Sequence, residues 1–299
     1  MSEMRPSSLD PHRNCPLGNE DCRQFAPEPV IELNHGGDEI SVWRCESCGH
    51  GVTRPAMPDV SALYAARDSQ DFQQQDGKIA SWIKQVSFNR QALKALRDTQ
   101  FTGGHIIDFG CGSGVLTEAF ARNVPEGSQV TAMDFHEEGP PLLEQAAYRS
   151  LANADDLQEA ADMFTCFHVL EHDDDCHAFL EQILSYLKPG GTLLIEVPHV
   201  DCVWSDLFGK DWDNWYLPFH RVHFSRRSLL GLFERADLEV LQQQDVSIPS
   251  IGRSLARRLH VQNSLPFVLV SAVAFPIQWA VEKITKRPSA LRVIARKRA

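Results

Sequence analysis

HIIDFGCGSG, residues 105–114, is the stretch from which the rest of the chain is read. The apolar pair Ile106 and Ile107 ends in Asp108, and Gly110, Gly112 and Gly114 follow before an amphipathic helical run that begins at Val115. That order spells a strand, a tight turn and a helix start. Alternating glycines let the backbone take positive φ and let a ligand approach where Cβ atoms would block it. The spacing is G-x-G-x-G and not the G-x-G-x-x-G of a dinucleotide loop. This speaks against a nicotinamide-dependent oxidoreductase.

Working downstream, a strand over 129–133 ends at Asp134, about 20 residues past the loop, where an acid can accept hydrogen bonds from ribose hydroxyls. A third strand has no clear apolar run, and Ser150, Asn153, Asp155 and Asp156 stand as alternatives for the polar residue that follows it. The fourth, over 162–169, runs into Leu170, Glu171 and His172. A helix over 176–187 follows, then KPGG (188–191) as a turn and a fifth strand over 192–197. Repeated βα units of this kind call for an α/β fold, a mostly parallel sheet with helices on both faces.

The glycine loop, FHVLEH (167–172), LKPGGTLLIEVP (187–198) and FHRVHFSRRSLLGLFERADLEV (219–240) together resemble the class I S-adenosylmethionine-dependent methyltransferases over roughly residues 80–246. The resemblance implies a Rossmann-like, seven-stranded sheet whose last strand, over 290–296, inserts antiparallel. It implies S-adenosyl-L-methionine as cofactor, held around Asp108, Gly110, Cys111, Gly112, Gly114, Asp134, Phe135 and His168. The implied reaction is methyl transfer to an oxygen, carbon or nitrogen of a small molecule, glycan or lipid-linked metabolite. A non-catalytic cofactor-binding module is the alternative.

Residues 199–225 form a long aromatic stretch holding Trp204, Trp212, Trp215 and Tyr216 with His199, His220 and His223. Such a loop inside a compact domain reads as functional, and its aromatic rings as a wall for a flat or apolar acceptor. An oxygen or carbon acceptor must also lose a proton, and histidine titrates near neutral pH. His220 and His223 are therefore the candidate catalytic bases, with His199 and His168 behind them; each reads equally as a structural loop histidine.

Four segments follow from these patterns: 1–55, 56–100, 101–252 and 253–299. The first is rich in Pro, Gly and Cys. Its Cys45-x-x-Cys48 followed by Gly49 has the knuckle spacing that aims two thiolates at one Zn²⁺, while Cys15 and Cys22 are spaced more loosely. The segment resembles the zinc-ribbon-like extension of some methyltransferases, which implies a structural Zn²⁺ on Cys15, Cys22, Cys45 and Cys48, with His50 or His12 as substitutes; free thiols on a small β segment are the other reading. Residues 59–67 and 79–97 read as helices leading into the core, the second with Trp82, Ile83, Val86, Leu93 and Leu96 on its period.

The net charge of −11 is unevenly spread: from Arg253 onward ten Lys or Arg face one acid, a balance of +9 that leaves −20 for residues 1–252. An acidic body repels nucleic acid, which disfavours a zinc-linked nucleic-acid modifier, and only the tail is suited to an anionic surface. Within that tail, residues 261–281 carry no charge and are flanked by Arg253, Arg257 and Arg258 on one side and Lys283, Lys286 and Arg287 on the other. The length nearly suits a membrane span, but Asn263, Pro266 and Pro276 oppose it. The readings are an apolar lid or dimer face, or in-plane association with an anionic membrane. With no apolar leader at the N-terminus and cysteines scattered through the body, a cytoplasmic protein, peripheral at the inner face of the membrane, is expected.

Overall fold

The computed structural model describes residues 17, 25–35, 37–57, 78–262 and 264–298. Cys15, Cys22, His12 and the helix expected over 59–67 lie outside the described residues. In chain order the elements are β1 (Ile31–His35), β2 (Asp38–Arg44), β3 (Gly51–Arg54), α1 (Lys78–Asp98), β4 (His105–Phe109), α2 (Val115–Asn123), β5 (Gln129–Asp134) and β6 (Ala147–Ser150). Then come β7 (Ala161–Phe167), α3 (Cys176–Tyr186), β8 (Leu187–Pro198), α4 (Val203–Phe208), β9 (Val222–His223), α5 (Arg226–Arg235), β10 (Leu238–Val246), α6 (Ile251–Arg258), α7 (Leu265–Thr285) and β11 (Ala290–Lys297).

Side chains on a strand alternate between faces, so a strand buried on both faces must be apolar at successive positions. The central strands meet that demand. Ile107, Phe164, Leu193 and Val293 enter one core, and their neighbours Ile106, Met163, Leu194 and Ile294 enter the opposite one. The first core is covered by Phe179, Leu180 and Ile183 of α3 and Leu229, Leu232 and Phe233 of α5. The second is covered by Ala92, Ala95 and Leu96 of α1 and by Leu116 and Phe120 of α2. Trp82 and Leu93, expected on the buried side of α1, are exposed instead.

The resulting seven-stranded sheet has the order β10-β11-β8-β7-β4-β5-β6. Pairings from β8 through β6 are parallel, and β11 is antiparallel to both neighbours. The Rossmann-like sheet expected from the sequence is therefore present, with its reversed last strand. Three boundaries differ. The third strand is the short edge strand β6, of which Ser150 is the buried end. KPGG lies inside the span of β8, where the pairing with β7 shifts register, and not in a turn before it. β7 stops at Phe167 because His168 takes φ +57° and turns the chain out of the sheet.

A second, antiparallel sheet of order β1-β2-β3-β9 takes its last strand from the segment after β8, so the N-terminal strands are tied to the core by β3–β9 pairing. Beneath it Trp204, Trp212, Trp215 and Leu217 pack with Ile31, Ile40 and Val42. The three tryptophans expected to wall an acceptor cleft are thus core residues of this junction: the small sheet has too few apolar side chains of its own to bury its inner face.

Ser225 is the hinge of the same junction. Its hydroxyl accepts from Ser228 N–H at 3.0 Å, capping α5, and donates to the Cys48 carbonyl. Ser225→Ala removes both bonds, and we expect a loss of about 1–3 kcal/mol, read as a lower urea midpoint at unchanged slope.

Candidate functional site

The carboxyl ends of β4, β5 and β7 lie side by side, and the sequence-derived residues fall along that edge. Gly110 and Gly112 have φ of +73° and +51°, and Gly114, the N-cap of α2, has φ +77°. At Gly110 a Cβ would come within 2.1 Å of Val169 Cγ2, so the loop touches the segment leaving β7. Asp134, closing β5, accepts from Gly112 N–H at 3.2 Å and from Phe135 N–H at 2.7 Å. The loop and the acid are thereby locked together. Phe135 is exposed and packs edge-on to Phe109, at 5.3 Å between centroids. Burial, with Asp134 and Asp108 nearby, pushes the Cys111 thiol far up, so it is a neutral wall of the loop and not a nucleophile.

Asp108 is buried and accepts from Thr117 at 2.5 Å and Thr165 at 2.6 Å, joining β4, α2 and β7 under the loop. Burial raises its carboxyl to about 6; the two hydroxyl bonds pull the other way and Asp134 adds to the rise. After β6, Ser150 accepts from Asn153 at 3.0 Å, while Asp155 and Asp156 are exposed.

Beyond β7 the chain carries a charged cluster that no spacing rule announced. Glu196 of β8 and Arg292 of β11 are buried partners, with Arg292 Nε donating to Oε2 at 2.7 Å. His168 Nε2 stands 3.1 Å from Glu196 Oε1, and its Nδ1 stands 3.5 Å from Glu171 Oε1. Burial opposes a charge on His168, but the Glu171 and Glu196 carboxylates outweigh it and raise it to about 10. His168 is then a cation at neutral pH, which disqualifies it as a base. Burial works against the Glu196 charge as well, yet His168 and Arg292 hold its carboxyl below the usual range.

Of the candidate bases, His220 and His223 are neighbours, with ring centroids 6.4 Å apart, but they face different partners. His220 Nδ1 faces the Asn214 carbonyl at 2.9 Å and its Nε2 lies 3.7 Å from Glu171 Oε1, so this ring joins the β7 edge. His223 sits in the inter-sheet junction, 3.0 Å from Thr53 Oγ1 and edge-on to Trp215. His199 is held by the Pro288 carbonyl at 2.9 Å. Burial lowers all three; for His220 and His223 neighbouring positive or titratable groups deepen the effect. His223 and His199 are buried and packed in this geometry, the arrangement of the structural loop histidines that the sequence also allowed. Glu171, which the sequence reading quoted but gave no role, is the residue that reasoning missed; only its adjacency to His172 hinted at it.

In the N-terminal segment Cys45 and Cys48 are buried. They flank a turn in which Gly49 N–H donates to the Cys45 carbonyl at 2.9 Å and Cys45 N–H to the His50 carbonyl at 2.8 Å. His50 is fully buried, and neither ring nitrogen has a hydrogen-bond partner among the described residues. Burial, assisted by Arg44, lowers it to about 3.

A parallel sheet with a reversed last strand and a glycine loop answered by an acid on the next strand defines the class I methyltransferase fold. Residues 81–243 match the family described as Methyltransferase domain, and the chain belongs to it. It is 37% identical over 107 residues to the ubiquinone biosynthesis O-methyltransferase of Xanthomonas campestris pv. campestris (strain B100), a match covering 31% of this chain and 42% of that protein. The protein of the same name from Xylella fastidiosa (strain 9a5c) is 35% identical over 108 residues, covering 31% and 42%. The match thus spans less than half the length of these curated relatives. The crystal structure of the [4+2]-cyclase SpnF superposes with a TM-score of 0.50 at 18% identity, over 82% of this chain and 98% of that one, and shows the shared fold alone.

The burial of Asp108 has a measurable consequence. Its carboxyl titrates near 6 in the folded protein and near 3.8 in the unfolded chain. Between these values the folded state holds a proton that the unfolded state has released, so stability falls as pH rises through the window and then levels. Asp108→Asn lacks this dependence. Its stability relative to wild type is expected to climb by about 2 kcal/mol from pH 4 to pH 6 without cofactor, measured by urea unfolding across that range.

Proposed function

We propose that the chain transfers the methyl group of S-adenosylmethionine to a hydroxyl oxygen of a small or lipid-borne acceptor. The observation that carries the reading is the lock between the glycine loop and Asp134. Two backbone N–H groups fix that carboxylate at the end of β5, with lone pairs left for two ribose hydroxyls. The exposed Phe135 ring beside it suits the flat face of adenine. The methionyl ammonium would lie toward Asp108, whose burial leaves it short of a positive partner. Methyl transfer from a sulfonium is an in-line displacement in which alignment alone supplies ~7–11 kcal/mol; a rigid cofactor loop is suited to that task. An oxygen acceptor is supported by the names of the curated relatives, both O-methyltransferases.

Two accessory readings belong with this one. Cys45 and Cys48 form one half of a structural Zn²⁺ site; the turn between them and the unpartnered His50 ring beside it support the assignment. The second concerns α7, the one described helix long and apolar enough, by length and composition, to cross a membrane. Its polar residues face inward. Glu282 accepts from Trp204 Nε1 at 2.7 Å and Ser247 at 2.6 Å, Gln278 donates to the Ile248 carbonyl at 2.6 Å, and Ser271 accepts from Gly252 N–H at 3.0 Å. Its apolar residues face outward, with Val273 79%, Ile277 66% and Ile284 82% exposed. Arg258, Lys283 and Lys286 are exposed at its two ends. An apolar face rimmed by cations suits the interface of an anionic membrane, which supports a reading in which the enzyme works at the inner face of a membrane beside an acceptor dissolved there.

Calorimetry with S-adenosylmethionine and S-adenosylhomocysteine tests the main reading. Wild type is expected to bind both, and Asp134→Ala to bind at least tenfold more weakly, a loss of about 1.4 kcal/mol or more; a folded wild type that binds neither overturns it. Vesicle flotation tests the membrane reading. Wild type should float with vesicles containing anionic phospholipid, while a Val273→Glu, Ile277→Glu double variant should stay in the soluble fraction. A wild type that remains soluble, or whose double variant floats equally, removes it.

A further inference from the structure

Residues 135–146 connect the parallel strands β5 and β6. Such crossovers are usually helical, but this one holds no helix or strand, and Pro140 and Pro141 interrupt it. It crosses the carboxyl edge of the sheet from one face to the other. At its start Phe135 packs on Phe109 and Phe179, which belong to the core under α3, and at its end Ala146 packs against the core under α1 and α2. Between these points it lies on the glycine loop: a Cβ on Gly114 would come within 2.9 Å of both Pro140 and Leu143. The Tyr148 hydroxyl donates to the His136 carbonyl and fixes the first bend.

A chain without helix or ladder must find other partners for its amides. Glu118 supplies them at the far end of the crossover. This residue is 4% exposed and sits in the first turn of α2, where its own N–H donates to the Gly114 carbonyl at 2.9 Å. Its Oε2 accepts from the N–H groups of Glu144, Gln145 and Ala146 at 3.0, 3.1 and 3.5 Å. Its Oε1 faces Arg122 Nε at 3.3 Å, and Arg122 Nη2 donates to Glu144 Oε2 at 3.1 Å. One buried acid thus ties residues 144–146 to the helix that starts at the glycine loop. Hydrogen bonds to a carboxylate are stronger than those to a neutral acceptor, so the tie is firm.

We propose that Glu118 is a positioning residue for the cofactor: by holding residues 144–146 it fixes the 135–146 segment as the outer wall of the adenosine end. The role rests on the methyltransferase reading, which sets ribose on Asp134 and adenine beside Phe135, the first residue of this segment. Releasing residues 144–146 leaves the segment on the Tyr148 bond and its apolar contacts, and lets Pro140 and Leu143 lift from Gly114. The methionyl end depends on Glu118 less. It lies toward Asp108, which bonds to Thr165 of β7 on the opposite side of β4 from β5 and β6.

The test compares the full-length wild type, Glu118→Ala and Glu118→Gln by calorimetry with two probes, S-adenosylhomocysteine and methylthioadenosine. The second probe keeps the adenosine end and lacks the amino-acid end. Glu118→Ala is expected to weaken both by the same factor, about fivefold or more. Glu118→Gln, whose amide oxygen still accepts, should stay within about twofold of wild type. Hydrogen exchange at residues 144–146 should quicken in Glu118→Ala and not in Glu118→Gln, with the fold checked by circular dichroism. Should Glu118→Ala not fold, Leu143→Ala, which removes the contact with Gly114 from the segment's side, is read in its place and should weaken both probes alike. A folded Glu118→Ala that binds both probes as wild type does, or that loses S-adenosylhomocysteine alone, overturns the proposal. A folded wild type that binds neither probe overturns the methyltransferase reading and this one with it, so wild type alone tells the two failures apart.

Discussion

Glu196 holds a negative charge inside the large sheet, and the placement of three strands follows from neutralising it. Arg292 lies directly across from it in the β8–β11 register and reaches it through Nε and a terminal nitrogen at 2.7 and 2.6 Å. A register slip of one residue would turn Arg292 to the opposite face and leave both charges buried and unmatched, at a cost of about 3–5 kcal/mol. The pair therefore specifies how the reversed strand β11 inserts beside β8. Arg292 also lies over the Phe167 ring, 5.3 Å from its centroid, at the last residue of β7. His168 completes the network from its left-handed turn, which sends the following residues back across the carboxyl edge of the sheet. The positions of Glu171 and His172 are consequences of that turn.

The same edge gathers a surplus of negative charge. Asp108, Asp134, Glu171 and Glu196 all belong to strand ends or the turn after β7, against the cations Arg292 and His168. Asp108 illustrates the imbalance: burial holds its carboxyl near 6, so folding without a ligand works against its ionised form. The methionyl end of a sulfonium cofactor carries sulfonium and ammonium charges against one carboxylate, a net cation, and its two positive groups suit the acids of this edge. The excess of acids in residues 1–252 thus has a local meaning at this site as well as a general one for solubility.

Legibility in the sequence followed the physics of burial. Strands buried on both faces have to be apolar without interruption, and Ile106–Ile107 or Leu193–Ile195 could be recognised for that reason. β6 pairs on one side only and mixes Tyr148 and Arg149 with small residues, so it left no such run. The glycine loop and Asp134 were legible because positive φ and a strand-end acid are local requirements. The tryptophans at 204, 212 and 215 were misread as a cleft wall, since composition cannot distinguish aromatic residues lining a pocket from those that fill the space under a small sheet. The histidines divided in the same way. Only the tertiary arrangement separates His220, turned toward Glu171, from His223, turned toward Thr53. Glu171 lies inside the FHVLEH string, yet that string assigns it no role, because its burial beside His168 and His220 is set only by the tertiary arrangement.

Helix α7 inverts the usual logic of a surface helix, and the inversion constrains its role. An amphipathic helix normally turns its apolar stripe to the core. Here Ser271, Gln278 and Glu282 make the inward bonds while the apolar side is left outside. The helix is firmly seated, because α6 and α7 approach so closely at Gly252 that a Cβ there would meet the Phe267 carbonyl oxygen at 1.9 Å. Those polar contacts to Trp204, Ser247 and Ile248 are specific and would be lost if the helix left the body to cross a bilayer. Rotation of its apolar face into the core is opposed by the same bonds, since it would set apolar side chains against Trp204 Nε1, Gly252 N–H and the Ile248 carbonyl and leave those groups without partners. What remains is a fixed apolar platform on the outside of an acidic body, with cations at its rim. On the membrane reading proposed above, such a platform would keep the enzyme's orientation constant with respect to the apolar phase, so that an acceptor held there would always arrive from the same side.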